Sequence, residues 1–325
     1  MTVPIWAWAA VLGVILAMLA IDLAAHRKSP VVGVRSALTW SGVWVVLGLA
    51  FGAVVWWVWG AEFAGQYFAG YVIEKSLAVD NVFVFAIIFG YFAVPREYQH
   101  RVLFYGVLGA LVFRGIFLTL GVAVVSQFTA ILFAFAAVLL FSAYKLLKGD
   151  DTEFDPSTSF GVRMLRKVMP VRSEYDGAKF FVKEGGRRVA TPLLTVVVAI
   201  EAADLVFAVD SVPAVLAVSD DAFIIYTSNA FAILGLRALY FLLAGMLEKF
   251  HLLSKGLAII LGFIGVKLVL QAAHKTISTS IPEIPSLVSL GVIVTVLAAS
   301  VLLSLWRPAH VPPAPPTEKL GPSAR

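Results

Sequence analysis

Nine stretches of this chain stay apolar for about 20 residues, the length a helix needs to cross a bilayer core about 30 Å thick. No other feature narrows the fold as far, because a segment in lipid has to satisfy its own backbone hydrogen bonds, as a helix does. The stretches lie at about 5 to 25, 38 to 60, 70 to 93, 102 to 125, 128 to 147, 192 to 218, 222 to 246, 256 to 273 and 286 to 306. Of the 325 residues, 60% are hydrophobic and 14% charged, against about 25% charged in a typical soluble domain. A soluble fold is excluded. The first stretch lacks the basic start and small-residue cleavage site of a signal peptide and reads as a retained first helix.

The formal charge of +5 is topological. Nineteen Lys and Arg residues fall in the loops on one side of the nine-span arrangement, among them Arg27, Lys28, Arg96, Arg101 and nine between Lys148 and Arg188. The opposite loops hold only Lys275, with Glu62, Asp220, Asp221 and Glu283. The positive-inside rule then places the N-terminus outside and the C-terminus in the cytoplasm. Trp6, Trp8, Trp40, Trp56, Trp57, Trp59 and Trp306 fall near span ends, as an interfacial aromatic belt requires. Nucleic acid is not needed to explain the basic charge.

The chain divides into helices one to five (1–147), a cytoplasmic loop (148–190), helices six to eight (191–273), a ninth helix (274–307) and a disordered tail (308–325). In the loop, Phe160, Met164, Leu165, Val168 and Met169 share one face of a short helix whose other positions carry Arg163, Arg166 and Lys167, which suits a membrane interface. Residues 180–189 read as a hairpin turning at Gly185-Gly186.

Eleven ionisable side chains lie within spans: Asp22, Glu74, Lys75, Asp80, Arg114, Lys145, Glu201, Asp204, Asp210, Arg237 and Lys267. Each costs about 2.5 to 3.5 kcal/mol at mid-span, so such residues line protein interiors or polar paths. Three landmarks recur in order: Asp80 matches Asp204, Arg114 matches Arg237 and Lys145 matches Lys267, at offsets of 124, 123 and 122 residues. The repeating unit is three helices, spans three to five and six to eight. Three is odd, so the second copy enters from the opposite side, which makes an inverted-topology repeat of the kind that builds secondary transporters. The expected fold is an all-α membrane protein of nine transmembrane helices containing that repeat.

Two readings compete for the charges. They could neutralise one another as buried ion pairs, since five carboxylates face five cations once Asp22, read as interfacial, is set aside. Alternatively, Glu74, Asp80, Asn81, Glu201, Asp204 and Asp210 supply a cation site. Glu201 and Asp204 lie about 60° apart on a helix while Asp210 lies about opposite Glu201, so one helix offers carboxylates in several directions. Pro213 is expected to break that helix and leave the Val209 carbonyl free beside Asp210. Oxygen donors without sulfur suit Mn²⁺, Mg²⁺ or Ca²⁺; the chain has no cysteine and its five histidines do not cluster. Arg114 and Arg237 read as counter-ions, and Lys75 and Lys267 as counter-ions or gates. Thr227-Ser228-Asn229 adds either oxygen ligands or a helix cap. Nucleotide-binding GxxxxGK[ST] and zinc-protease HExxH motifs are absent, so neither an enzyme nor a bound prosthetic group is expected.

At these residues the sequence resembles the TerC family of bacterial integral membrane proteins, and within it the Alx-type manganese exporters. The resemblance rests on Ala20-Ile-Asp-Leu23, Ile73-Glu-Lys-Ser-Leu-Ala-Val-Asp-Asn-Val-Phe-Val84, Val102-Leu-Phe-Tyr-Gly-Val-Leu-Gly109, Phe207-Ala-Val-Asp-Ser-Val-Pro213, Ser228-Asn-Ala-Phe-Ala-Ile-Leu-Gly-Leu-Arg237 and Gly262-Phe-Ile-Gly-Val-Lys267. It implies export of Mn²⁺ across the inner membrane, with Glu74, Asp80, Glu201, Asp204 and Asp210 as transport residues. Proton exchange is the simplest drive, because buried carboxyls can trade a metal for protons. The alternative is a membrane partner in protein assembly or secretion that transports nothing.

Overall fold

The structure, a computed structural model, describes residues 3–25, 33–148, 156–243 and 252–306, without the side chains of residues 24, 25, 34, 80, 83, 253 and 254. The expected tail at 308–325 lies outside the described residues. Among the described residues, eleven α-helices and one hairpin follow in order: α1 (Ile5–Ala25), α2 (Val34–Trp59), α3 (Ala61–Tyr91), α4 (Arg96–Gln127), α5 (Ile131–Lys148), α6 (Phe160–Val168), β1 (Phe181–Glu184), β2 (Arg187–Ala190), α7 (Pro192–Leu216), α8 (Ala222–Ile233), α9 (Leu236–Leu243), α10 (Leu253–Thr276) and α11 (Ser286–Trp306). Their ends carry ordinary signals. Pro192 opens α7 at a position where a missing N–H costs nothing. Asp221 caps α8, its Oδ1 accepting from the Phe223 and Ile224 amides at 3.0 and 3.3 Å.

Among the described residues, eight helical segments are long and apolar enough to cross a membrane: α1, α2, α4, α5, α7, α8 with α9, α10 and α11. The third expected span, α3, has 31 residues, but Glu62, Glu74, Lys75 and Asp80 leave it no membrane-length window with so few charges. Its neighbours compensate. α3 is surrounded by α2, α7, α8 and α11, and Gly48 and Gly52 of α2 leave room for the rings of Tyr71, Phe68 and Tyr67. α4 approaches α7 closely because Gly106 faces Ile200 and Gly121 faces Val212. α5 and α10 run antiparallel, with Leu140 against Gly265 and Ala143 against Gly262.

The chain does not break where proline suggests. α7 continues through Pro213 to Leu216, and every residue from Ser211 to Leu216 is buried. The Pro213 carbonyl still accepts from Ala217 N at 3.0 Å, so the ladder resumes one turn later. The seventh span, expected to be continuous, is the interrupted one. α8 stops at Ile233, Gly235 takes φ +85°, and α9 restarts at Leu236.

Residues 156–190 gather at the end of the bundle where α3 finishes and α4 and α7 begin. Gly161 of α6 lies against Val198 and Ala202 of α7, and Val162 is buried. Phe160, Met164 and Val168 remain exposed along the helix. The hairpin pairs Val182 with Val189 and turns at Gly185 and Gly186, at φ +57° and +79°. Tyr175 donates its hydroxyl to the Phe92 carbonyl at 2.7 Å, and burial pushes its ionisation up to about 12.

The break is tested by Gly235→Ala. A side chain at positive φ costs about 1–2 kcal/mol, and a Cβ there would sit 2.6 Å from that of Trp44, adding about 1–3 kcal/mol of overpacking. The purified variant is expected to melt several degrees below the parent. Gly291→Ala on α11, where a Cβ meets open space, is expected to melt with the parent.

Candidate functional site

Three charged side chains from three helices meet inside the bundle. Glu74 of α3, Arg114 of α4 and Asp204 of α7 are 1%, 2% and 2% exposed. Arg114 Nη1 donates to Glu74 Oε2. On Asp204 the guanidinium makes a two-pronged contact, Nη2 to Oδ1 at 3.1 Å and Nε to Oδ2 at 3.3 Å. Asn81, equally buried, lies beside them. With its nitrogen toward the acid it donates to Asp204 Oδ1 at 3.4 Å. Turned over, it accepts from Arg114 Nη2 and donates to the Leu77 carbonyl, both at 3.1 Å, which satisfies both ends of the amide.

The centre is not fully saturated. Asn229 of α8 turns toward Glu74, but neither its Nδ2 nor Glu74 Oε1 completes a well-aligned hydrogen bond; Ser211 Oγ, two turns beyond Asp204 on α7, is buried without one as well. Buried polar atoms are seldom left this way unless an ion, water or proton completes them. An acceptor and an amide therefore stand ready beside the ion triplet.

The other acids stand apart. Glu201, one turn before Asp204, lies over Gly109 of α4 so closely that any Cβ there would collide with its carboxylate. Its Oε2 is buried without a partner. Asp210 accepts from Ser142 Oγ of α5 at 2.7 Å. The side chain of Asp80 lies outside the described residues. Among those described, no three His, Asp or Glu side chains gather as a metal would require.

The remaining cations each find a different partner. Lys75 Nζ donates to the Ala232 and Leu234 carbonyls at 2.8 and 3.1 Å. Lys267 Nζ donates to Ser289 Oγ of α11 at 2.9 Å, at the floor of a cavity of about 700 Å³ between the ends of α3, α7, α10 and α11. Arg237 pairs with Asp22 Oδ1 at 2.7 Å and with its carbonyl at 2.8 Å. Asp22, expected at the interface, is therefore a buried partner of Arg237. Thr227 and Ser228 donate to the Phe223 and Ile225 carbonyls of their own helix; the cap is Asp221.

Sequence reasoning missed the α8–α9 interruption and the Asp22–Arg237 pair. The first had a signal in Gly235 within an apolar run. The second had none beyond charge, since the partners are 215 residues apart.

Arg114→Met should cost about 3–5 kcal/mol by leaving Glu74 and Asp204 buried and unpaired. Adding Glu74→Gln and Asp204→Asn should recover most of that loss in a thermal melt. A triple variant no more stable than Arg114→Met would show that charge pairing is not what Arg114 contributes.

Comparison with known proteins extends over most of the chain. Residues 59–311 match the model of the Integral membrane protein TerC family. An uncharacterised membrane protein of Myxococcus xanthus is 44% identical over 94% of this chain and 93% of its own. Alx of Escherichia coli K12, described as a candidate membrane-bound redox modulator, is 43% identical over 92% of this chain and 94% of its own. The chloroplastic thylakoid membrane protein TERC of Arabidopsis thaliana is 46% identical over 79% of this chain and 65% of its own. No solved structure matches. The chain belongs to the TerC family of integral membrane proteins.

Proposed function

We propose that this protein is a secondary transporter that exports a divalent cation, manganese, across the bacterial inner membrane in exchange for protons. The observation that carries the reading is the pair Glu74 and Asp204, buried among helices with one carboxylate oxygen unpartnered. Intramembrane acids are expensive and are kept where they serve a path. In the unloaded state Arg114 supplies the positive charge between them; on loading, the cation takes over both carboxylates and the guanidinium withdraws.

The acids follow one another along α7. At about 1.5 Å per residue, Glu201 precedes Asp204 by about 4.5 Å and Asp210 follows by about 9 Å. With the N-terminus outside, Glu201 lies on the cytoplasmic side of the centre and Asp210 on the outer side, below the cavity floored by Lys267. Buried Ala69, Ile73 and Ala214 separate the centre from that cavity, and Ile200 against Gly106 closes the other approach. Buried apolar side chains on both sides of the centre fit the occluded state that alternating access needs.

α3 serves as the third of nine spans, and α3–α5 with α7–α10 form the inverted repeat. Two observations support this. α4 packs on α7 while α8 packs on α3, the exchanged pairing a two-fold relation requires. α5 meets its own counterpart α10 in antiparallel fashion. The description of the Alx relatives as membrane-bound redox modulators fits an effect exerted through the cargo, since this chain has no cysteine for thiol exchange.

Cells expressing the protein should hold less manganese than vector controls by elemental analysis. Asp204→Asn should reach the membrane in normal amount and leave manganese at the control level. An inactive parent would overturn the transport reading; a variant as active as its parent would overturn the assignment of the site.

A further inference from the structure

The seventh span is interrupted inside the protein. Helix α8 stops at Ile233, and Ala232, Ile233 and Leu234 are all buried. A helix leaves its last carbonyls without intrahelical donors, and its C-terminal end carries a partial negative charge. At the bundle surface, water would satisfy both. Here water is replaced by one side chain, because the Lys75 ammonium donates to the Ala232 and Leu234 oxygens at 2.8 and 3.1 Å. Its remaining side faces the ring of Tyr71, 5.9 Å from the centroid.

This is an unusual place for an intramembrane lysine. Among the described residues no carboxylate pairs with Lys75: Glu74, next to it in sequence, is held by Arg114, and Asp204 is held there too. The ammonium is solvated by carbonyl oxygens, a helix terminus and an aromatic face, the groups that solvate a small cation stripped of water. Gly235, at φ +85°, makes the turn possible, and Trp44 closes over it.

We propose that the α8–α9 break is a seat for a monovalent cation, and that Lys75 is its built-in occupant. Interrupted helices whose carbonyls face inward hold coupling ions in secondary transporters. This protein fills the equivalent position from α3, so it requires no free alkali ion there. The tether also joins two parts of the bundle. Glu74 and Lys75 are consecutive, so one turn of α3 holds the carboxylate–guanidinium centre on one side and the break on the other.

The test is cation rescue. Lys75→Met removes the charge and keeps the bulk, so the emptied seat should accept an ion from solution. The parent, Lys75→Met and Lys75→Arg are purified in detergent, and their melting temperatures are compared in choline, sodium, potassium and ammonium chloride at equal ionic strength. Lys75→Met should melt about 5 °C below the parent in choline, and sodium, potassium or ammonium should restore most of the loss in a saturable manner. The parent and Lys75→Arg should be indifferent to the salt, since each brings its own cation. A Lys75→Met protein with one melting temperature in all four salts overturns the proposal. If that variant is recovered folded only when extracted in an alkali or ammonium salt, the seat is supported; if no salt yields it folded, the proposal is overturned. The readout is stability, so the outcome is separate from whether manganese moves.

Discussion

The contact of Arg114 with Glu74 and Asp204 is the constraint around which the rest of the bundle is arranged. Three ionised groups cannot face lipid at mid-depth, and they cannot be buried unless each meets an opposite charge with good geometry. Three helices must therefore converge. α3 and α7 bring the acids, and α4 brings a side chain long enough to reach both. The glycines of α4 follow from this: Gly106, Gly109 and Gly121 all face α7, and each is occupied by a side chain of that helix. Larger residues would hold α4 away and draw the guanidinium off Asp204.

The same requirement, met differently, explains the other buried cations. A guanidinium presents a planar fork and suits carboxylates, while an ammonium is a compact charge that can be solvated by any group of oxygens. Arg114 and Arg237 accordingly sit on carboxylates, and Lys75 and Lys267 on carbonyl and hydroxyl oxygens. Arg114 and Arg237 occupy matching positions of the proposed repeat and differ in the acids they meet among the described side chains. Arg114 meets two acids inside the repeat, whereas Arg237 meets Asp22 of α1, which lies outside it.

Hydropathy alone located the helices, because lipid leaves the backbone no alternative. The ionisable residues were equally visible, since charge in an apolar run needs no context to be noticed. What could not be read was who meets whom. Spacing gives the angle between Glu201, Asp204 and Asp210 around α7, but not the rotation of α7 against α4 and α5. That rotation sends Asp204 to Arg114, Glu201 to Gly109 and Asp210 to Ser142. The misplaced break has a related cause. Pro213 removes one hydrogen bond, and tight packing on every side tolerates that loss. Gly235 reverses the backbone, yet a glycine in an apolar run carries no mark of its φ. Eight segments satisfy the apolar criterion instead of nine for the same reason that α3 matters: the charges that spoil its hydropathy are the ones its neighbours enclose.

The guanidinium between the acids also bears on which ions can enter. Arginine stays protonated at any accessible pH, so the carboxylates are never without a competing positive charge. A monovalent ion would bring no more charge than Arg114 already supplies, and would have to displace a contact that is bidentate on Asp204. A divalent ion brings about twice the Coulomb attraction at equal distance, and its preference for several oxygens is met by the Glu74 and Asp204 carboxylates and the Asn81 amide. In the proposed transport cycle a tethered guanidinium would act as a filter on valence, holding the site closed to sodium and potassium and yielding only to an ion whose charge exceeds its own. The unpartnered oxygen of Glu74 is where such an ion would make its first contact, because that atom can bind before Arg114 has let go.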